Sequence, residues 1–182
     1  MTMTPRLRKV ALTAHVTSSV GWLGAVVSYV ALAVALLASQ DAQMVRAAFL
    51  AMEFTVWYVI VPLALASLLT GLVCALGTVW GLFRHYWVLV KLLLNIVATL
   101  VLLGYTQEIT PFAALAAKAT LSGTDLAELR NSSHLVHSGG GLLVLLVATV
   151  LAVYKPRGMT RYGRRKQHHQ PKQREQRTVP VS

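Results

Sequence analysis

Four long stretches of the chain consist almost entirely of apolar and small residues, and the charged residues lie mainly between and beyond them. The third stretch contains Lys91, and the other three contain no acidic or basic side chain. A helix needs about 20 apolar residues to cross a hydrocarbon core of about 30 Å, and all four stretches reach that length. The pattern therefore predicts four transmembrane helices, at about residues 10–39, 54–81, 85–107 and 131–154.

The composition agrees with a membrane protein. Of the 182 residues, 55% are hydrophobic and 13% are charged, whereas about a quarter of the residues in a water-soluble protein are charged. These values exclude a soluble enzyme, a nucleic-acid-binding domain and a disordered protein, although the net charge of +11 alone would suggest a nucleic-acid partner. The predicted fold class is all-α, a polytopic membrane protein with a bundle of four transmembrane helices.

The positive charges lie where a topology signal is expected, because Lys and Arg near span ends favour the cytoplasmic side. With both termini cytoplasmic, most of the 17 basic residues lie on that side. We therefore expect a basic N-terminus at 1–9, a transmembrane domain at 10–154 with an outer loop at 108–130, and a disordered tail at 155–182. The tail anchors this topology or binds anionic lipid headgroups. The expected partner is the bilayer, without nucleic acid, and a homo-oligomer stays open.

Glycines and prolines occur where they would shape the predicted helices. Small residues such as Gly21 and Gly24 in helix 1 allow close helix contacts in lipid. Helix 4 carries three consecutive glycines at 139–141, which indicate a very close neighbour, a flexible element or a surface for a flat cofactor. Pro62 removes a backbone hydrogen bond and predicts a kink in helix 2. Pro111–Ala119 in the outer loop suits a short helix on the membrane surface.

Polar side chains inside the spans are the best indication of function, because such groups usually face the bundle interior or a water-filled path. His15 follows Lys9 by about 9 Å of helix, and Lys91 follows Arg84 by about 10 Å. Two helices that place polar groups at one level can build a single site. The imidazole could ligate a metal or a haem iron, and the ammonium could pair with a carboxylate. Alternatively, Lys91 returns its charge to the headgroups.

A second polar set lies at the outer ends of the helices. His134 and His137 are three residues apart on helix 4 and share one helix face, and Glu53 lies at the neighbouring end of helix 2. Two imidazoles and a carboxylate could bind Cu(II) or Zn(II), or they could pass protons. The alternative is that both histidines are hydrated side chains at the membrane interface.

Two sequence patterns resemble a known family. His15 is followed by Trp22 and Gly24 in helix 1, and Trp87 is followed four residues later by Lys91 in helix 3. These patterns resemble helices 1 and 3 of the HemJ-type protoporphyrinogen oxidases. More loosely, they resemble CopD-like copper-resistance membrane domains, and they look closest to small uncharacterised four-helix membrane proteins of actinobacteria. The HemJ resemblance implies a haem b protein that oxidises protoporphyrinogen, with His15 as a candidate axial ligand and Lys91 as a functional cation. Trp22 and Trp87 belong to the same candidate cofactor-binding set.

Three classes of function follow from these residues. The first is a haem- or porphyrin-associated redox protein, in which Lys91 is the candidate catalytic residue. The second is a membrane protein that handles copper, another metal or protons through His134, His137 and Glu53, and the CopD resemblance implies the copper handling. The third is a non-catalytic membrane partner or scaffold, so enzyme activity stays open. The cofactor stays unknown, with haem b as the first candidate and copper as the second, and the expected location is the bacterial cytoplasmic (inner) membrane.

Overall fold

The computed structural model describes residues 3–77, 82, 85–118, 120–156, 158 and 160. The tail predicted at 155–182 therefore lies outside the described residues from position 161 onwards. Every regular element within the described residues is helical. The helices are α1 (Pro5–Ala38), α2 (Ala42–Thr55), a π-helical segment (Val56–Ile60), α3 (Val61–Gly77), α4 (Tyr86–Ala116), α5 (Gly123–Leu129) and α6 (Ser133–Tyr154).

The helices form four segments that are long and apolar enough to cross a membrane, which confirms the predicted all-α class and its four candidate spans. The segments are Pro5–Ala38, Ala42–Gly77, Tyr86–Ala116 and Gly123–Tyr154. Each segment exposes large apolar side chains, among them Val20, Leu69, Leu100 and Leu143. A water-soluble bundle would bury such side chains, whereas a membrane bundle turns them towards the lipid.

The start of α1 and the end of α6 lie at one end of the bundle, which we call the tail end. Here the N–H of Met3 donates to the carbonyl of Gly77 over 3.2 Å. The N–H of Tyr86 donates to the carbonyl of Gly158 over 3.3 Å. Residues near both chain ends therefore meet the α3 and α4 ends at the same end of the bundle.

At the opposite end of the bundle, which we call the loop end, two arginines connect the ends of neighbouring helices. The guanidinium of Arg130, which lies between α5 and α6, donates to the carbonyl of Leu37 and to Oε1 of Gln40, each over 3.0 Å. The guanidinium of Arg46 donates to the carbonyl of Lys118. The bonds to Leu37 and Lys118 satisfy backbone carbonyls at or just beyond helix ends, which the helices themselves leave without a donor.

The connection between the first two spans is much shorter than the sequence suggests. α2 begins at Ala42, and the carboxylate of Asp41 caps it by accepting a hydrogen bond from the N–H of Gln43 over 3.0 Å. Val45 and Phe49 on this helix are fully buried. Burial of this apolar face explains why residues before position 54 are helical although Arg46 and Glu53 interrupt the apolar run.

α4 is also longer than the sequence predicts, because it continues through Pro111 to Ala116 without a break. Residues 111–116 of the surface helix predicted at Pro111–Ala119 are therefore the last part of α4 and not a separate helix. Ile109 and Ala116 are fully buried, and the ring of Phe112 packs at 6.3 Å from the ring of Phe49 on α2. This packing holds the helix together where Pro111 lacks an N–H to donate.

The distortion predicted at Pro62 takes the form of a π-helical segment. Val56–Ile60 winds with one extra residue per turn, and the N–H of Val61 donates to the carbonyl of Val56. Proline has no N–H to donate to the carbonyl four residues before it. The wider turn directly before Pro62 accommodates that missing hydrogen bond within a continuous span.

The buried core lies mainly towards the loop end. Fully buried side chains there include Phe49, Met52, Ile109 and Leu129. Towards the tail end, the last buried residues of the four spans are His15, Ser67, Asn95 and Ala148. The bundle is therefore tightly packed on one side of this level and open on the other.

The three consecutive glycines of α6 do not serve close packing between the described helices. A Cβ added at any of the glycines 139–141 would meet no atom within 4 Å, so the interpretation as a close contact is wrong for these positions. Gly21 does face a neighbour, since its Cβ would lie 3.3 Å from Leu63. Gly71 has less space than Gly21 or the three glycines of α6, because its Cβ would lie 2.9 Å from Cε1 of His15.

Candidate functional site

His15 and Lys91, which the sequence places at one level of two helices, are in contact in the structure. Nζ of Lys91 on α4 lies 3.3 Å from Nε2 of His15 on α1. His15 is 8% exposed, and Lys91 is half-buried. The ammonium group is thus directed at a buried side chain of another helix.

Hydrogen bonds to α3 hold the ring of His15. Nδ1 lies 3.1 Å from the carbonyl oxygen of Ser67 and 3.2 Å from Oγ1 of Thr70. A carbonyl oxygen only accepts, so this network assigns the hydrogen to Nδ1 and leaves the lone pair on Nε2. Lys91 then donates to Nε2. Histidines that ligate metals are oriented in the same way, with the second nitrogen donating to a carbonyl or a carboxylate.

The interface between α1 and α3 is built around this ring. Gly71 leaves the space that the ring occupies, as its 2.9 Å clearance shows. The hydroxyl of Ser18 donates to the carbonyl of His15 over 3.1 Å, and the hydroxyls of Ser19 and Ser67 are 2.8 Å apart. Small polar residues therefore fix the ring without placing a charge against it from α3.

A cavity of about 560 Å³ lies beside the His15–Lys91 pair at the tail end. Its lining includes three basic residues, Arg8, Lys91 and Lys155, and no acidic residue. The rest of the lining is mostly apolar, with Trp87 on one wall and the buried amide of Asn95 as a further polar group. This combination suits a ligand that has an apolar body and acidic groups.

The two tryptophans of the predicted cofactor-binding set lie in different places. Trp87 lines the tail-end cavity together with His15 and Lys91. Trp22 is 3% exposed and lines a second cavity, which is also lined by His137, one of the predicted outer metal ligands. The structure therefore brings three of the four predicted residues together and separates Trp22 from them.

The predicted outer metal ligands have different surroundings. His134 is 2% exposed, and its Nδ1 is hydrogen-bonded to the hydroxyl of Tyr105. His137 is exposed, and its Nδ1 donates to the carbonyl of Ser133 over 2.9 Å. Within the described part of the chain, no group of three or more His, Cys, Asp or Glu side chains could hold a metal ion. Among these residues, His134, His137 and Glu53 therefore form no three-residue group that is placed to hold a metal ion.

Sequence reasoning did not identify a pair of tyrosines on α1 and α4. The hydroxyls of Tyr29 and Tyr105 are 3.0 Å apart, and that of Tyr105 also bonds to His134. Tyr29 is only 2% exposed. A tyrosine in the middle of an apolar span was the available signal. That signal does not identify the hydrogen-bond partners, because they are distant in sequence. Tyr105 lies 76 residues after Tyr29, and His134 lies 29 residues after Tyr105.

Comparison with protein-family models, with curated proteins and with solved structures finds no match for this chain.

Proposed function

We propose that this protein binds a haem or a related porphyrin in the tail-end cavity, with Nε2 of His15 as an axial ligand. The observation that carries the proposal is the His15 ring, whose Nδ1 is 3.1 Å from the carbonyl of Ser67 while Nε2 meets Lys91 at 3.3 Å. This fixes the tautomer that iron requires. The resemblance to HemJ-type oxidases implies the same ligand.

The charges of the cavity support an anionic ligand. A porphyrin joins a large apolar ring to carboxylate groups, and the lining joins an apolar surface to Arg8, Lys91 and Lys155. The Lys91 ammonium is an ionised donor in either bond, but only a carboxylate carries the opposite charge, which adds a Coulomb attraction in an apolar cavity. A ligand carboxylate is therefore a better acceptor for Lys91 than the neutral imidazole. On this proposal the Lys91 ammonium leaves Nε2 of His15 and bonds to a carboxylate of the ligand, so that Nε2 becomes accessible to the iron.

The fixed groups of the chain would bind and orient such a ligand, and a bound haem would supply one-electron redox chemistry. We place the tail end on the cytoplasmic side of a bacterial inner membrane. The segments 1–9 and 155–182 are rich in Lys and Arg, which the positive-inside rule assigns to the cytoplasm. The cavity would then accept its ligand from the cytoplasm or from the inner lipid leaflet.

Absorption spectroscopy tests this function. Purified full-length protein in detergent is titrated with haemin, and a saturable Soret band is expected. In His15→Ala the band should shift and the apparent affinity should fall by about 10-fold or more, because an iron ligand is lost; this corresponds to at least about 1.4 kcal/mol.

His137→Ala is the matched control. It removes an exposed histidine that does not line the tail-end cavity, so its spectrum and affinity should equal those of the wild type. The proposal is wrong if the wild type shows no saturable Soret band. If the band is the same in His15→Ala, His15 is not the ligand.

A further inference from the structure

A second cavity of about 320 Å³ lies between α1, α4, α6 and the π-helical segment. Trp22 and Tyr29 line it from α1, Tyr105 from α4, and Ile60 from the π-helical segment. Its lining contains none of the residues that line the tail-end cavity. The two cavities are therefore separate sites.

One wall of this second cavity is bare backbone. Gly140 and Gly141 line it, and a Cβ at either position would meet nothing within 4 Å. Gly139 precedes them on α6 with the same free space but does not line the cavity. Opposite side chains such as Trp22 and Ile60 are buried and apolar. The space suits a flat apolar group.

Two polar residues of the cavity lining, Tyr29 and Tyr105, belong to a hydrogen-bonded chain with an unused end. The hydroxyl of Tyr29 bonds to that of Tyr105 over 3.0 Å, and the hydroxyl of Tyr105 bonds to Nδ1 of His134. If His134 donates from Nδ1, then Tyr105 donates to Tyr29, and the Tyr29 hydrogen is left for a ligand. If Nδ1 accepts, the bonds reverse, and the Tyr29 oxygen is left as an acceptor.

The other end of this chain also lacks a partner. Nε2 of His134 is buried and has no hydrogen-bond partner among the described residues. The chain can therefore run in either direction with only a change of the His134 tautomer. It can donate to a carbonyl oxygen in the cavity or accept from a hydroxyl there.

We propose that this cavity binds the ring of a lipid-soluble quinone. Such a ring is flat, is carried in the hydrocarbon core, and has carbonyl oxygens when oxidised and hydroxyl groups when reduced. The Tyr29–Tyr105–His134 chain can bond to both forms, and the Gly140–Gly141 wall leaves room for the ring. An acyl chain of a phospholipid would fill the same space but would leave the end of the hydrogen-bonded chain unused. This site goes beyond the haem proposal and does not depend on it, because His15 and Lys91 lie outside it.

The test uses full-length protein in lipid nanodiscs and radiolabelled menadione as the probe. Saturable binding is expected above the level of empty discs. Gly141→Leu should reduce the affinity 10-fold or more, because its side chain would fill the cavity, whereas the matched Gly139→Leu should leave the affinity unchanged. Tyr29→Phe should reduce the affinity about 3-fold to 10-fold, because it removes one hydroxyl.

Ala98→Leu fills the same cavity from α4 and serves if Gly141→Leu is not monodisperse on size exclusion. His15→Ala should bind menadione as the wild type does, so that failure of the haem proposal is distinguishable from failure of this one. The inference is overturned if binding does not exceed that of empty discs. Equal affinities of the Gly141→Leu and Gly139→Leu variants, or full competition by a saturated fatty acid with no effect of Tyr29→Phe, also overturn it.

Discussion

His15 is held by three contacts from two other helices. Ser67 and Thr70 on α3 bond to Nδ1, and Lys91 on α4 meets Nε2. A buried imidazole needs such partners, because an unpaired polar group in an apolar interior costs about 1–3 kcal/mol. The ring orientation is thus set from one side, and the cationic partner on the other side belongs to the cavity.

The clearance at Gly71 gives a test of this arrangement at the residue scale. Gly71→Ala should weaken haemin binding about 10-fold, because the methyl group would lie 2.9 Å from Cε1 of His15 and displace the ring. Gly24→Ala is the matched control, since its Cβ would meet nothing within 4 Å. It should bind haemin as the wild type does. Haemin titrations of both variants, checked by size exclusion, make the comparison, and equal affinities for the two would contradict the assigned ring position.

The His15–Lys91 contact is the part of the site that the sequence predicts, because equal distances from the basic residues at the membrane surface place both groups at one depth. The sequence does not predict Ser67, Thr70 or Gly71 as neighbours of His15. Hydroxyls and glycines are frequent in transmembrane helices as packing residues. Only the rotation of α3 about its axis decides which of them meet a given ring, and apolar residues on all sides of this helix hide that rotation.

At the scale of the elements, the four spans follow from the length of the apolar runs, but the ends of the helices do not. Charged residues such as Arg46 stop an apolar run without stopping the helix, since a guanidinium at the loop end finds a carbonyl acceptor. Pro111 also does not end the helix, because the side chains of Ile109 and Ala116 are buried on both sides of it. Tertiary packing thus extends helices that the hydropathy pattern ends early.

Arg130 should contribute measurably to the stability of the loop end. It donates two hydrogen bonds of 3.0 Å to the end of the first span, and hydrogen bonds from charged groups contribute about 1.5–3 kcal/mol. Arg130→Ala should therefore lower the melting temperature by several degrees, as measured by fluorescence-detected size exclusion after heating. Lys9→Ala, which removes an exposed charge near the tail end, should not change it. Equal melting temperatures for both variants would show that the Arg130 bonds do not join the helices.

At the scale of the whole molecule, the protein has a tightly packed loop-end half with a small cavity and an open tail end with a larger one. The larger cavity is basic and faces the end that carries the N-terminus, and the smaller is nearly uncharged and is lined by two tyrosines. This difference in charge indicates different ligands. The central claim of the account concerns the larger cavity, in which His15 is the group that would bind iron.

The most direct test of that claim is chemical rescue of His15→Gly. This variant removes the imidazole and leaves a space beside Gly71 in which free imidazole can bind. The haemin-loaded variant should show an altered Soret band, and added imidazole should restore the wild-type band with saturation. A band in His15→Gly that already equals that of the wild type, or that does not respond to imidazole in a correctly folded protein, would contradict the claim that His15 is the axial ligand.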